Sequence, residues 1–230
     1  MPIAPRYFVT GTDTEVGKTV ATVQLIRLLN QQKIPTIGMK PAASGCLNSN
    51  GILINDDVVA HQNATPIAAP LALVSPYRFE PAISPHIAAR EADIEIKLPH
   101  ILSCAEQLSE HANTVVVEGA GGWFAPLSDT HTIADLAIAL EAPVILVVGM
   151  RLGCINHAML TAQAIKFAGL PIAGWIANQI DPHMSRYAEN LAYLQTHLSA
   201  PFLAEIPHSS NALNSCLNIQ AFETLKLRNN

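Results

Sequence analysis

The chain has 230 residues, half of them hydrophobic and 13% charged, with a formal net charge of −5. That length suits one domain with a sizeable core, and with no Lys/Arg cluster, nucleic acid and anionic membranes are excluded as expected partners. The scattered cysteines Cys46, Cys104, Cys154 and Cys216, the N-terminus without a leader pattern, and the absence of an apolar run of about 18 residues predict a soluble cytoplasmic protein with reduced thiols.

The apolar run Arg6–Thr10 predicts a first strand. The glycine loop GTDTEVGKT (Gly11–Thr19) follows, and then a helix over about 17–31 with Val20, Val23, Leu25, Ile26 and Leu29 on one face. Pro35–Lys40 reads as a second strand that ends in the loop Pro41–Gly45. Prolines 66, 70, 76, 81 and 85 interrupt the reading from 47 to 96. Within it, Asn55–Asn63 predicts a short helix, and Ser84-Pro85-His86 a helix start with serine as cap. Leu98–His111 predicts a helix, and Thr114–Val117 a buried strand that ends at Glu118. Pro143–Val148, Asn156–Ala168, Ile172–Ala177, Ser185–Leu198 and Phe202–Ile206 continue the alternation of strands and helices. Most strands are apolar throughout rather than alternating, which predicts a mostly parallel sheet wound on both faces, in one domain over 1–230.

A loop between strand and helix can aim several backbone N–H groups at an anion, reinforced by the helix dipole. In GTDTEVGKT five residues separate the glycines, where the usual phosphate loop has four. Lys18 would reach the β- and γ-phosphates, and the Thr19 hydroxyl would coordinate Mg²⁺. That ion needs only a hydroxyl and one or two carboxylates, since it keeps several waters. Glu118 is the first carboxylate candidate, at the end of an apolar strand and followed by Gly119-Ala120-Gly121. Asp57 is the second, and spacing alone does not separate it from Asp56. No water-positioning glutamine follows the strand, so the phosphoryl acceptor need not be water.

Seven segments occur in a telling order: GTDTEVGKT, KPAASG (Lys40–Gly45), SPH (Ser84–His86), VEGAGGWFAPL (Val117–Leu127), LGCINH (Leu152–His157), GWIAN (Gly174–Asn178) and EIP (Glu205–Pro207). Together they closely resemble the dethiobiotin synthetase family, from about Arg6 to Pro207. Cobyrinate amidating synthases carry similar loops but also a glutaminase domain, for which this chain has no room. The resemblance implies a P-loop NTPase-like fold and an ATP- and Mg²⁺-dependent ring closure. The diamine 7,8-diaminopelargonate takes up CO₂ as a carbamate, the carbamate attacks the γ-phosphate, and the second amine displaces phosphate to close the cyclic urea.

By that resemblance Lys18 and Lys40 flank the transferring phosphoryl group as catalytic residues, and Thr19, Asp57 and Glu118 take the metal. The resemblance, rather than spacing, selects Asp57 over Asp56. Glu15, Val16, Gly17, Lys18, Thr19 and Val20 would form the nucleotide cradle with Gly119, Ala120 and Gly121. Asn178 would read the adenine edge beside Pro207, His208 and Ser209. Thr12 would lie near the reacting groups, Ser44 would hydrogen-bond the carbamate or an amine, and Gly153, Cys154, Ile155 and Asn156 would bind the substrate's carboxylate tail across a two-fold homodimer interface. Two positions depart from the family. Asn214 stands near where an acidic residue often faces the ribose. Asn190 stands where a tyrosine often holds the tail, with Tyr187 and Tyr193 as nearby substitutes. The alternative is a nucleotide-switched partitioning-type ATPase that binds a protein partner. Such proteins usually carry an additional lysine early in the loop, which is absent here.

Overall fold

The computed structural model describes residues 5–226. Strand β1 (Arg6–Gly11) leads through the glycine loop into helix α1 (Lys18–Gln31) and strand β2 (Thr36–Met39). Short strands β3 (Ala42–Ala43), β4 (Leu47–Ser49) and β5 (Ile52–Ile54) precede α2 (Asp56–Ala64), α3 (Leu71–Val74) and β6 (Tyr77–Arg78). After them come α4 (Pro85–Glu91), α5 (Leu98–Leu108), β7 (Thr114–Gly122), α6 (Ile133–Ala139) and β8 (Val144–Gly149). Helix α7 (Cys154–Phe167), β9 (Ile172–Asn178), α8 (Tyr187–His197), β10 (Phe202–Ile206), a 3-10 turn at Ala212–Asn214 and α9 (Ile219–Lys226) complete the order.

Six strands form one sheet in the order β10-β9-β8-β1-β7-β2, and every neighbouring pair in it is parallel. The continuous apolar character of the strands now has its cause. Phe8, Val115, Val117, Leu146 and Val148 face one core, with α5, α6 and α7 against it. Tyr7, Val9, Val116, Ile145 and Val147 face a second core beneath α1. Each fully buried aliphatic side chain contributes about 1.5–3 kcal/mol, so neither face could be polar without loss of a layer. The doubly wound parallel reading is thus the observed fold.

The chain leaves β7, crosses β1 and returns as β8 on its other side. Connections therefore diverge at the carboxyl end of β1, where a doubly wound sheet opens a crevice. The glycine loop sits there.

Three local expectations are corrected. Strand β7 runs on to Gly122, so Glu118 lies within it rather than at its end. The pairing moves from Val9↔Glu118 to Gly11↔Gly122, a bulge that gives β7 two more residues than β1 over that step. Ser84 occupies the cap position of α4, but its hydroxyl bonds His86 Nδ1 at 2.8 Å and does not cap the backbone. Helix α7 starts at Cys154, two residues before the expected Asn156, because Gly153 turns the chain at φ 96°. All four cysteines are free. No helix among the described residues is long and apolar enough to cross a membrane.

Candidate active site

At the end of β2 the backbone N–H of Lys40 donates to Val74 O, which fixes where the lysine leaves the sheet. Its side chain turns into the protein and is 8% exposed, not a solvated strand-end lysine. There Nζ donates to Glu118 Oε1 at 2.6 Å and to Asp57 Oδ2 at 2.8 Å. The hydroxyl of Thr19, on the first turn of α1, donates to the same Glu118 Oε1 at 2.9 Å. β7, β2, α1 and α2 thus each contribute one group to a single cluster.

Electrostatics follows from that packing. Burial pushes the Glu118 carboxyl up, but the Lys40 ammonium and the hydrogen bond from His61 outweigh it and hold the group well below the usual carboxylate range. Burial likewise opposes the charge on Lys40, and Glu118 followed by Asp57 overcomes it, so the ammonium is held above its ordinary value. The two therefore face each other as ions. Lys18 differs. Burial lowers its ammonium to about 8 despite the pull of Glu118, and the nearby Lys40 charge acts in the same direction as burial. Its Nζ donates to the loop carbonyl of Asp13 at 2.9 Å.

These groups line a cleft of about 670 Å³ together with Glu15, Gly17, Ser44, Ala120 and Gly121. The Ser44 hydroxyl is shielded from solvent and has no partner among the described residues. Asn55 caps α2, accepting from the N–H groups of Asp57 and Val58, and its amide donates to Ser44 O at 3.0 Å. It therefore fixes Asp57 and Ser44 relative to each other. A second cleft, around Arg90 and His131, contains none of these residues.

Other expected site residues lie outside that lining. Val16 is buried behind the loop, Val20 is half-buried on α1, and Gly119 packs under Ile133 and Phe8. Thr12 is tied to β8: its N–H donates to Val147 O, and its hydroxyl accepts from Gly149 N–H at 3.4 Å. The Asn178 amide nitrogen donates to Val16 O at 2.9 Å, so that side chain braces the loop from behind. Pro207, His208 and Ser209 are exposed just after β10, where His208 N–H donates to Gln179 Oε1. Of the α7 start, Gly153 and Asn156 are exposed, Ile155 half-buried and Cys154 buried. An ion pair from Arg151 to Asp13 holds that start beside the loop.

Two contributors escaped the sequence reading. Asn55 stands just before Asp56-Asp57, a helix-start pattern whose signal was present. His61 is four residues after Asp57, on the same face of α2, and its Nε2 lies 2.8 Å from Glu118 Oε2.

The donor set suits Mg²⁺, which takes oxygen ligands: the Thr19 hydroxyl and the Asp57 and Glu118 carboxylates converge around one ammonium. Among the described residues no three His, Cys, Asp or Glu side chains form a metal-holding group. An ion here would draw on the hydroxyl and these two carboxylates and complete its shell with phosphate oxygens and water.

Comparison with known proteins agrees with this geometry. A family model described as an AAA domain matches residues 5–214. An ATP-dependent dethiobiotin synthetase BioD from Pseudescherichia vulneris is 49% identical over 90% of this chain and 86% of its own length. BioD 1 from Escherichia coli O157:H7 is 48% identical over 89% of this chain and 91% of its own. Among solved structures, the MinD cell division protein of Aquifex aeolicus has a TM-score of 0.59 at 14% identity, covering 99% of this chain and 98% of that one. That likeness is one of fold alone. Near-half identity across nine-tenths of the chain places it otherwise: it belongs to the ATP-dependent dethiobiotin synthetase family.

Proposed function

We propose that the cleft closes the cyclic urea of dethiobiotin from 7,8-diaminopelargonate, CO₂ and ATP, as an ATP-dependent carbon–nitrogen ligase acting in a single domain. The observation that carries this reading is the convergence of Lys18, Lys40, Thr19, Asp57 and Glu118 on one cleft beside the unpartnered hydroxyl of Ser44. Phosphoryl transfer needs mainly positioning and charge stabilisation, and the site supplies both without a covalent nucleophile.

The N–H groups of Glu15–Thr19 would cradle the phosphates. Lys18 would release the Asp13 carbonyl and pair with the β- and γ-phosphates. Lys40 would hold the carbamate and offset charge that builds on the transferring group. Ser44 would take a hydrogen bond from an amine or give one to the carbamate. Thr19, Asp57 and Glu118 would hold Mg²⁺, which when bound neutralises phosphate charge. Asn178 Oδ1 would remain for the adenine amine while its nitrogen keeps Val16 in place, beside Pro207–Ser209.

Gly153–Asn156 does not line the cleft of its own chain, whereas Leu152, just before it, and Phe124, next to the cleft-lining Ala125, stand 90% and 68% exposed. A homodimer would cover those apolar side chains and bring the start of α7 to its partner's cleft, where a helix N-terminus favours a carboxylate by about 0.3–2 kcal/mol. The partitioning-type reading finds no added support, because the loop carries no lysine before Lys18.

The test is direct. Purified protein given the diamine, bicarbonate, ATP and Mg²⁺ should form dethiobiotin with stoichiometric ADP. If ADP release is independent of the diamine, the reading fails.

A second expectation concerns pH. In the free protein Lys18 loses its proton near pH 8, whereas a bound triphosphate favours the charged ammonium. Nucleotide affinity is therefore full below that pH and falls as pH rises through it. From the linkage relation the Kd for MgATP should rise about tenfold between pH 7 and pH 9. Calorimetry in buffers of different ionisation enthalpy would also record proton uptake on binding at pH 8. A Lys18→Arg variant, whose charge persists, should bind with a flat profile. A flat profile in the wild type would remove this linkage.

A further inference from the structure

Glu118 has two oxygens in unlike situations. Oε1 accepts from Thr19 and from Lys40, whereas for Oε2 the partner seen is His61 Nε2 at 2.8 Å. Both side chains of that last pair are wholly shielded from solvent. An ionised carboxylate can only accept, so the hydrogen lies on Nε2 and the ring donates. His61 Nδ1 is buried and has no partner among the described residues, so the Glu118 contact is the polar contact that the ring makes.

The backbone is arranged to admit this ring. His61 and Asp57 are four residues apart on α2, so one helical face presents both toward the Lys40–Glu118 pair. Gly38 on β2 leaves the space: a Cβ there would come within 2.9 Å of His61 Cβ and 3.0 Å of its Cγ. Helix α2 thus holds the ion pair at both ends, with Asp57 on the ammonium and His61 on the carboxylate.

We propose that His61 is a positioning residue, which anchors Glu118 Oε2 so that Oε1 stays directed at Thr19 and the metal–phosphate site. The proposal rests on Glu118 serving as a magnesium ligand. A carboxylate held by one oxygen can otherwise rotate about its terminal torsion, which is broad and roughly two-fold. The imidazole removes that freedom before metal arrives. Partners that orient ligands in this way typically matter about 10–100-fold in metal affinity or activity.

The experiment compares full-length wild type, His61→Leu, His61→Gln and His61→Asn. Calorimetry gives the affinity for a non-hydrolysable ATP analogue with and without Mg²⁺, and the ratio isolates the metal's contribution. H61L should lose about tenfold or more of that ratio, with metal-free nucleotide affinity unchanged. H61Q, whose amide nitrogen can reach Oε2, should recover most of it, and H61N, one methylene shorter, should not. A merely structural role would lower stability in all three without this ordering. ¹⁵N NMR of the metal-free wild type adds a readout that needs no variant and no activity: the imidazole should be the Nε2–H tautomer, with that proton slow to exchange. A folded H61L with the wild-type ratio, or an Nδ1–H tautomer in the wild type, overturns the proposal. Failure of the underlying reading looks different: Glu118→Gln would then keep the full Mg²⁺-linked gain while the tautomer remains as stated.

Discussion

Replacement of Lys40 by alanine should reduce turnover by about 10²–10³-fold, the effect expected when one preorganised charge stabiliser leaves a site that excludes water. The size follows from burial. A solvated lysine would be screened, but this one is 6% exposed and is held between two carboxylates. The same burial means that the substitution also acts on stability. With the ammonium gone, Glu118 keeps its bonds from Thr19 and His61 but loses its counter-charge, and removal of one partner of a buried pair costs about 3–5 kcal/mol. The pH dependence separates the two effects. A carboxyl held low contributes stability above its unfolded value, lost as pH falls through the folded one, and an ammonium held high contributes below its unfolded value, lost as pH rises through the folded one. The gap in Tm between wild type and Lys40→Ala should therefore be widest between about pH 5 and pH 10 and should narrow outside it. Steady-state turnover on protein shown to be folded, with MgATP affinity measured alongside, tests the chemical part. A folded variant with near-normal turnover would place Lys40 outside the chemistry.

How much of this was legible before the structure depends on how far apart the partners lie. The β1–loop–α1 unit could be read because its signals are local: an apolar strand, a glycine loop, and a helix whose apolar residues recur at helical spacing. Strand β8 was readable because burial on both faces makes it apolar throughout. Between 42 and 97 that logic failed, since the two-residue strands β3 and β6 exist by pairing with each other rather than by propensity. Helix α6 was missed although it has a reciprocal cap, in which Thr132 accepts from Asp135 N–H and the Asp135 carboxylate accepts from Thr132 N–H. Its signature carries aspartate where glutamate or glutamine usually signals a capping box.

The site shows the same division. Lys18 and Thr19 sit in a contiguous motif. Glu118 could be proposed from its place after an apolar strand and before a glycine run, whereas Lys40 and the choice of Asp57 over Asp56 came through family resemblance, because no spacing rule joins residues whose meeting depends on β2 and β7 being neighbours in the sheet. His61 and the Arg151–Asp13 pair lay beyond both routes. Their contacts span 57 and 138 positions, and neither His61 nor Arg151 belongs to a motif of the resemblance.

Gly17→Ala should weaken ATP binding by about 100-fold while the protein still unfolds cooperatively. Gly17 sits at φ 82°, and a Cβ there would fall 2.0 Å from Asn178 Nδ2. Two costs combine. The left-handed backbone is unfavourable for an L side chain, by about 1–2 kcal/mol, and the Asn178 amide must leave Val16 O, which it now holds at 2.9 Å. Release of Val16 frees the peptide that precedes Gly17, so N–H groups aimed at the phosphates lose their common direction. The second cost is separable from the first. Asn178→Ala alone loses the brace and any adenine contact. In the double variant the methyl group enters space that the amide has vacated, so only the backbone strain is added. The combined loss in MgATP affinity should then be smaller than the sum of the two single losses, by about 0.5–3 kcal/mol, the range found for residues in contact. Strict additivity would mean that the methyl group and the amide do not compete for that space. Wild-type affinity in Gly17→Ala would mean that the loop backbone does not cradle the triphosphate at all, and the phosphate-binding role would then have to rest on Lys18 and Thr19 side chains alone.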